Sequence, residues 1–451
     1  MPKPDVNSNN GFLTLKKRLQ GKGVGAILAR GASGSFIVLM IGAAMAFGTN
    51  MLLARLMGVT QYGIYIYALT WVNLLSMLCK MGMDTSLLRF VAAYNVKKEW
   101  GLLRGILSRS LQYILYSSFL VLSIASVVVW GLYTHIGADQ AKTFWISFLL
   151  LPLFGLTALR TAALRAFKHV VQAALPDSLF QRLVIVLLAI GFFIISKQDL
   201  QATHVMAFNV VGALFAFYVG TVWLLKAIPG QVRKVSSIYA EREWVKVSLP
   251  MFFMSGMYLI LHQTDIIMLG VFVDTKQAGI YAVSSRVAGL VHFGLIAANA
   301  IVAPMISELY STGQHDKLQR MITLAARGIF LFTVTTSVIL VIFGKSILNL
   351  FGEGFIMGYV PLLILLCGQM ISSLAGSVGF LMTMTGHQNK AAQIVGTTAM
   401  FNIILNAVLI TQLGTVGAAI ATAISTATWN IVMLVYVWRN LRINPTVLAK
   451  T

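Results

Sequence analysis

The chain has 451 residues, of which 58% are hydrophobic and only 10% charged, against about 25% charged in soluble domains. With a mean hydropathy of +0.82 it has too little polar surface to cover a soluble protein, so lipid must be its main solvent. The net charge of +21 does not point to nucleic acid, because the basic residues fall between apolar runs, as topology signals do, rather than on one polar face.

Residues 1–30 are polar and basic, with Leu13, Leu15 and Leu19 set among Lys16, Lys17 and Arg18. They form either an interfacial helix on anionic lipid or a disordered basic anchor. The run that follows, Gly31–Ala54, holds 24 uncharged residues. Secretory signal segments have an apolar core of only about 7–15, so this run reads as a span and not as a cleaved leader.

A membrane helix needs about 20 mostly apolar residues. Twelve segments qualify: 33–54, 62–82, 109–133, 144–165, 177–196, 203–225, 247–270, 278–302, 324–343, 359–385, 391–412 and 414–438. Residues 354–389 contain no Asp, Glu, Lys or Arg, and 391–438 are 48 uncharged positions that Gly414 divides into two spans. The fifth segment is the weakest, because Asp177 and Arg182 lie in its first turns. With the N-terminus inside, 26 of the 34 Lys and Arg residues fall on the inner side and five on the outer, which places both termini in the cytoplasm.

The chain also repeats. Shifted by 216 positions, Leu269 falls on Leu53, Gln277 on Gln61, and Gly279-Ile280-Tyr281 on Gly63-Ile64-Tyr65. The register continues without a gap to Tyr310 over Tyr94, Leu318 over Leu102, Arg320 over Arg104 and Ile322 over Ile106, the mark of a duplicated unit. The expected fold is an all-α integral membrane protein, with about 12 transmembrane helices in two parallel-repeat six-helix bundles around a central cavity. The expected division is a cytoplasmic arm 1–30, a bundle 31–228, a cytoplasmic linker 229–246, a second bundle 247–438 and a cytoplasmic tail 439–451. Cys79 and Cys367 lie in apolar runs and imply no disulfide framework.

Several stretches resemble a known family: Leu52–Ala68, Arg89–Tyr94, Thr264–Gly270, Leu350–Tyr359, the pair Gly368-Gln369, Thr385–Lys390 and Gly417–Ser425. They are similar to the Wzx-type oligosaccharide flippases of the multidrug/oligosaccharidyl-lipid/polysaccharide exporter superfamily. The resemblance covers about residues 30–438, and it implies a non-enzymatic, multi-pass protein of the bacterial inner membrane. Its expected activity is to flip polyprenyl-diphosphate-linked oligosaccharide from the inner to the outer leaflet by alternating access. That serves O-antigen, capsule or exopolysaccharide biosynthesis, with coupling to H⁺ or Na⁺. The implied partners are the polyprenyl-diphosphate-linked glycan, membrane lipid, and a polysaccharide polymerase with other export machinery; no cofactor and no nucleic acid is implied.

Such a substrate needs cations for its diphosphate and polar or aromatic groups for its sugars. Ionisable side chains inside spans are expensive and so are candidates for function. Arg286, Arg55, Arg182, Lys80 and Arg89 are the diphosphate candidates. Asp265 is the candidate coupling carboxylate, with His262 one turn before it. Asp265 and Arg286 lie about ten residues on either side of the turn at Asp274–Gln277, so an ion pair between them is expected. Lys80 and Asp84, at i and i+4, read as a structural pair, and Asp177 and Arg182 as groups at an inner entrance. Tyr258, Tyr65, Tyr281 and Trp71 are candidate sugar contacts, although aromatics at span ends are commonly interface anchors. No zinc-ligand spacing and no P-loop occurs, so neither a metal site nor direct ATP drive is expected. Two relatives on the same fold are the alternatives, a cation-coupled multidrug exporter and a lipid II flippase. A glycan polymerase or ligase would need a large outer loop, and none is present.

Overall fold

The computed structural model describes residues 24–133 and 136–449; for residues 24–37, 39, 254, 258, 297, 300, 301 and 304 it describes the backbone alone. The basic arm with Leu13, Lys16 and their neighbours lies outside the described residues. Every regular element among them is helical. Among the described residues ten helices are long and apolar enough to cross a membrane, and one pair bent by 45°, Glu241–Met257 with Leu259–Phe272, raises that to eleven. The chain is a multi-pass membrane protein.

The first half of the chain supplies α1 (Val24–Lys80), α2 (Met83–Lys97), α3 (Trp100–Gly131), α4 (Ala138–Ser147), α5 (Leu150–Ala166), α6 (Val170–Leu175), α7 (Gln181–Ser196) and α8 (Ala202–Ala227). A short α9 (Gly230–Lys234) lies in the linker. The second half supplies α10 (Glu241–Phe272), α11 (Thr275–Ala288), α12 (His292–Ser311), α13 (His315–Phe351), α14 (Tyr359–Ala375), α15 (Val378–Met384), α16 (Gln388–Leu413) and α17 (Thr415–Leu441).

Two of the twelve expected spans, 33–54 and 62–82, fall in α1 and count there as one helix; the 57-residue run is broken at one non-helical position, Gly58 (φ 71°, ψ 173°). The Tyr62 hydroxyl donates to Asn50 Oδ1 at 3.1 Å. Residues twelve apart on a straight helix are separated by about 18 Å, so the chain folds back at Gly58 and α1 has two arms. Glycine suits the place because φ is in the left-handed region. Under the 216-residue shift Gly58 falls on Asp274, the N-cap of α11, whose side chain accepts from the Gln277 amide at 2.6 Å. Turn matches turn, as the duplication requires.

Other spans deviate locally. The expected 359–385 span breaks at Gly376 (φ 71°), where the Pro445 carbonyl packs so closely that a Cβ would lie 2.5 Å away. The 278–302 span is interrupted by a 3-10 turn at Gly289–Val291. The fifth span opens on a π-helical turn, Pro176–Phe180, which carries Asp177; such turns are frequently found at functional sites. Gly414 (φ 57°, ψ −130°) separates α16 from α17, as its position in the uncharged run suggests.

The halves are pressed together at the Gly58 end. Phe47 meets Phe351 edge-on at 5.4 Å, and Tyr62 meets Phe355 at 5.6 Å. At the opposite end the linker is strapped to α3. Arg109 pairs with Glu241 at 2.5 Å, Arg104 donates to the Val235 carbonyl at 2.5 Å, and the Ile238 amide donates to the Gly101 carbonyl at 3.0 Å. The start of α10 then packs on α2, with Trp244 Nε1 donating to the Tyr94 hydroxyl at 3.1 Å and Ser248 to Ser86 at 2.8 Å.

Candidate functional site

The expected Asp265–Arg286 ion pair does not form. Equal depth beside a shared turn does not fix azimuth, and the two side chains leave α10 and α11 in different directions. Asp265, 4% exposed, points into the second half. Its carboxylate accepts from Tyr281 at 2.7 Å, Thr422 at 2.5 Å and Asn406 Nδ2 at 2.6 Å. Asn406 also donates to Asn402 at 2.9 Å, and Asn402 to Ser425 at 3.2 Å. A buried carboxylate is tolerable when its lone pairs are satisfied, and three neutral donors do that here without a cation. The Asn406 Oδ1 beside it is buried with no partner among the described residues. Tyr281, a candidate sugar contact, is buried with its hydroxyl on Asp265.

Arg286 turns instead toward the first half and donates to the Tyr62 hydroxyl. Tyr62 in turn binds Asn50, so one bifunctional phenol links both arms of α1 to α11. Arg182, from α7, lies in electrostatic range both of Arg286 and of the Asp177 carboxylate. Its own donors go to the carbonyls of Gly42 and Ser178. Gly42 permits that approach, since a Cβ there would lie 2.9 Å from the Ser178 Cβ. Around the two cations stand amides and phenols. Gln181 donates to Asn209 at 2.8 Å, and Asn209 to the buried Tyr65 hydroxyl at 2.9 Å. The ion pairs among the described residues are Arg109–Glu241 and Arg160–Asp177, so neither Arg182 nor Arg286 has a carboxylate partner there. Two of the five expected diphosphate ligands are thus brought together at the junction of the halves.

Asp177, expected beside Arg182, belongs to a different cation. Arg160, 3% exposed on α5, donates through Nη2 to both Asp177 oxygens at 2.6 and 2.7 Å, and through Nη1 to the Ala216 carbonyl at 2.7 Å. Gly220 makes room for this group: a Cβ would lie 2.6 Å from the guanidinium. Sequence reasoning counted Arg160 among the topology charges at a span end and missed it. The available signal was the pair Arg160-Thr161 inside the otherwise uncharged run 143–164.

Lys80 does not pair with Asp84, because the helix breaks between them at Met81 (φ 49°) and Gly82 (φ 72°) and the i, i+4 geometry is lost. Both side chains face a cavity of about 390 Å³ in the first half, together with Arg165, Asp177 and Gln181.

The remaining candidates lie apart. Arg55 is exposed three residues before Gly58, and exposed Arg89 lies 5.8 Å over the ring of Phe90. Trp71 packs edge-on to Tyr67 at 6.4 Å. The Tyr258 side chain lies outside the described residues. His262 is on α10 one turn before Asp265, in electrostatic reach of His292. Among the described residues no group of three His, Cys, Asp or Glu side chains is placed to hold a metal.

The sequence profile of the polysaccharide biosynthesis protein family matches residues 28–310, well over half of the chain. The chain belongs to the polysaccharide biosynthesis protein family. Two curated relatives from Haloferax volcanii are a probable low-salt glycan biosynthesis flippase, Agl15, 25% identical over 164 residues, and a probable flippase, AglR, 30% identical over 166 residues. These alignments cover 36% of this chain and about a third of each relative, 35% and 34%. An uncharacterized membrane protein of Methanocaldococcus jannaschii is 22% identical over 426 residues, covering 87% of this chain and 80% of the relative. Among solved structures, the inward closed lipid II flippase MurJ superposes with a TM-score of 0.71 at 16% identity, covering 89% of this chain and 87% of that one. An inward-facing MATE family multidrug resistance transporter gives 0.68 at 13%, covering 90% and 98%. At these identities the likeness is one of fold. This member of the polysaccharide biosynthesis family therefore has the architecture of a MATE- or MurJ-like transporter, with its charged groups set into that frame.

Proposed function

We propose that this protein is a flippase for oligosaccharide linked to a polyprenyl diphosphate, and a transporter rather than an enzyme. The observation that carries the proposal is that Arg182 and Arg286, from different halves of the chain, flank the Tyr62–Tyr65–Asn209 cluster within electrostatic range of each other, and that neither forms an ion pair among the described residues. Two cations that repel each other in a low-dielectric setting are costly. An anion bound between them repays that cost, and guanidinium suits phosphate through charge-assisted hydrogen bonds.

A diphosphate at this junction bridges the halves, which is where alternating access needs its load. The same chemistry counts against a cation-coupled drug exporter, whose cargo would be repelled. In this reading the positive-inside bias makes the Gly58 end the outer one of a plasma-membrane protein with cytoplasmic termini, and the halves touch both there and, through Trp244–Tyr94 and Ser248–Ser86, at the linker end. The bacterial setting rests on the resemblance to Wzx-type flippases. Within this reading Asp265, in its neutral cage in the second half, is the group that takes up H⁺ or Na⁺ to drive the cycle.

The test is flipping in proteoliposomes loaded with fluorescent polyprenyl-diphosphate oligosaccharide, followed by access of a membrane-impermeant quencher. Wild-type protein is expected to expose the label in both leaflets and Arg286→Glu to leave it in one. Equal rates for the two, at equal reconstituted protein, remove the phosphate role.

A further inference from the structure

The cavity that contains Lys80 has no part in the Arg182–Arg286 junction as described, and its chemistry is different. Its walls are α5, α8, the end of α1, the start of α2 and the π-helical turn, all from the first half. At about 390 Å³ it falls within the ~300–1,000 Å³ typical of ligand sites. It carries charges of both signs, Lys80 and Arg165 with Asp84 and Asp177, and Asp177 is itself paired with Arg160. Asp177 is anchored by Arg160 from behind and still leaves its side chain 31% exposed to the opening. Thr85, Thr157 and Gln181 add neutral donors and acceptors, and the Phe154 ring adds an apolar face.

With Arg160 counted, the set carries one net positive charge against two at the Arg182–Arg286 junction, so a diphosphate is held better at the junction. The cavity set suits a ligand that is both donor and acceptor at every position, which is the chemistry of sugar hydroxyls: carboxylates accept from them, ammonium and guanidinium donate to them. The aromatic candidates for that task lie elsewhere, Tyr65 and Tyr281 being buried with their hydroxyls engaged. Position supports the assignment. Gln181 and Asp177 line the cavity; Gln181 is the chain neighbour of Arg182 and Asp177 lies in its electrostatic range, so the cavity adjoins the junction. Lys80 lies 22 residues from the Gly58 turn, about 33 Å along the helix, so the cavity lies toward the linker end, on the opposite side of the junction from the contacts at the Gly58 end.

We infer that this first-half cavity is the saccharide-recognition site of the transporter, separate from the cationic junction that holds the diphosphate, and that Lys80, Asp84, Arg165 and Gln181 read the first sugars of the glycan. The inference rests on the flippase reading.

Cysteine protection separates the two. Thr157→Cys in the cavity and Asn50→Cys beside Tyr62 are introduced in a Cys367→Ser background and labelled with a maleimide in detergent. The probes are the lipid-linked oligosaccharide fraction extracted from the source cells and polyprenyl diphosphate without sugar. At ligand ~10 times its Kd, labelling of a covered cysteine slows about tenfold by mass action. The expected result is that both lipids protect position 50 and that only the sugar-bearing lipid protects position 157. Protection of position 157 by neither lipid, or by both equally, overturns the saccharide site while leaving the flippase reading intact. Failure of either lipid to protect position 50 overturns the reading on which it rests.

Discussion

Gly63 and Gly279 stand 216 positions apart and meet backbone to backbone: a Cβ on Gly279 would lie 2.7 Å from the Gly63 Cα. They are equivalents under the internal repeat, so α1 and α11 cross where the two halves are related. On the other side, a Cβ on Gly63 would fall 2.1 Å from the Thr275 carbonyl oxygen. Small residues let membrane helices approach this closely, and dispersion between backbones then replaces side-chain packing.

Because the opposing atoms are backbone, neither helix has a side chain that can move aside. Gly279→Ala is expected to lower the thermal midpoint of purified protein, at an overpacking cost of about 1–3 kcal/mol. Gly48→Ala is the comparison, since nothing lies within 4 Å of a Cβ there and α1 should gain from the change. Equal midpoints for the two variants would show that the crossing is looser than it stands here.

The two ion pairs should differ sharply in their contribution. Arg109 and Glu241 are each 36% exposed, whereas the Arg160 side chain is 2% exposed. A surface pair contributes about 0–1 kcal/mol, and removing one partner of a buried pair costs about 3–5 kcal/mol. Arg109→Ala should therefore leave the folded protein near wild-type stability, with a small effect that vanishes in high salt. Asp177→Ala should cause a large loss in the same thermal assay, because Arg160 would keep a buried charge. Arg160→Lys should not restore stability, as an ammonium cannot reach Asp177 and the Ala216 carbonyl in the same fixed fork.

At the junction, Tyr62→Phe removes the acceptor of Arg286 and the link to Asn50 while keeping the ring against Phe355. Hydrogen bonds to charged groups contribute about 1.5–3 kcal/mol, so flipping should fall by about one to two decades if Tyr62 positions Arg286 for phosphate. Expression should persist, with the thermal midpoint lowered modestly because the Arg286 guanidinium loses an acceptor. An unchanged flipping rate in Tyr62→Phe would show that Arg286 orients itself without this hydroxyl.

Much of this frame is written in the sequence. Uncharged runs gave the helices, Gly414 their division near the end, and the repeat placed the Asp274 turn opposite Gly58. Asp265, Arg182 and Arg286 were visible because a charge in an apolar run needs a reason. Their partners were not visible. Partner choice depends on side-chain azimuth and on which helix lies opposite, so Asp265 met Asn406 and Thr422 from α16 and α17 instead of Arg286. Arg160 was hidden by its place near a span end, where a buried arginine and a topology signal look alike until Gly220 is seen to make room for it.

Asp265→Asn probes coupling with little disturbance of the fold. The new amide needs an acceptor, and Asn406 Oδ1, which has no donor among the described residues, supplies it when that side chain turns over. The Tyr281 and Thr422 hydroxyls can still donate to the retained oxygen. Asp265→Ala would instead leave one Asn406 N–H and one of the Tyr281 and Thr422 hydroxyls, which lie 3.0 Å apart, without an acceptor, at about 1–3 kcal/mol each, and is expected to lower stability. Asp265→Asn should therefore purify with a near-normal thermal midpoint and still flip substrate down its gradient, while losing any acceleration by an imposed H⁺ or Na⁺ gradient. If the variant is driven by such a gradient as strongly as wild type, Asp265 is a structural carboxylate and the coupling group lies elsewhere.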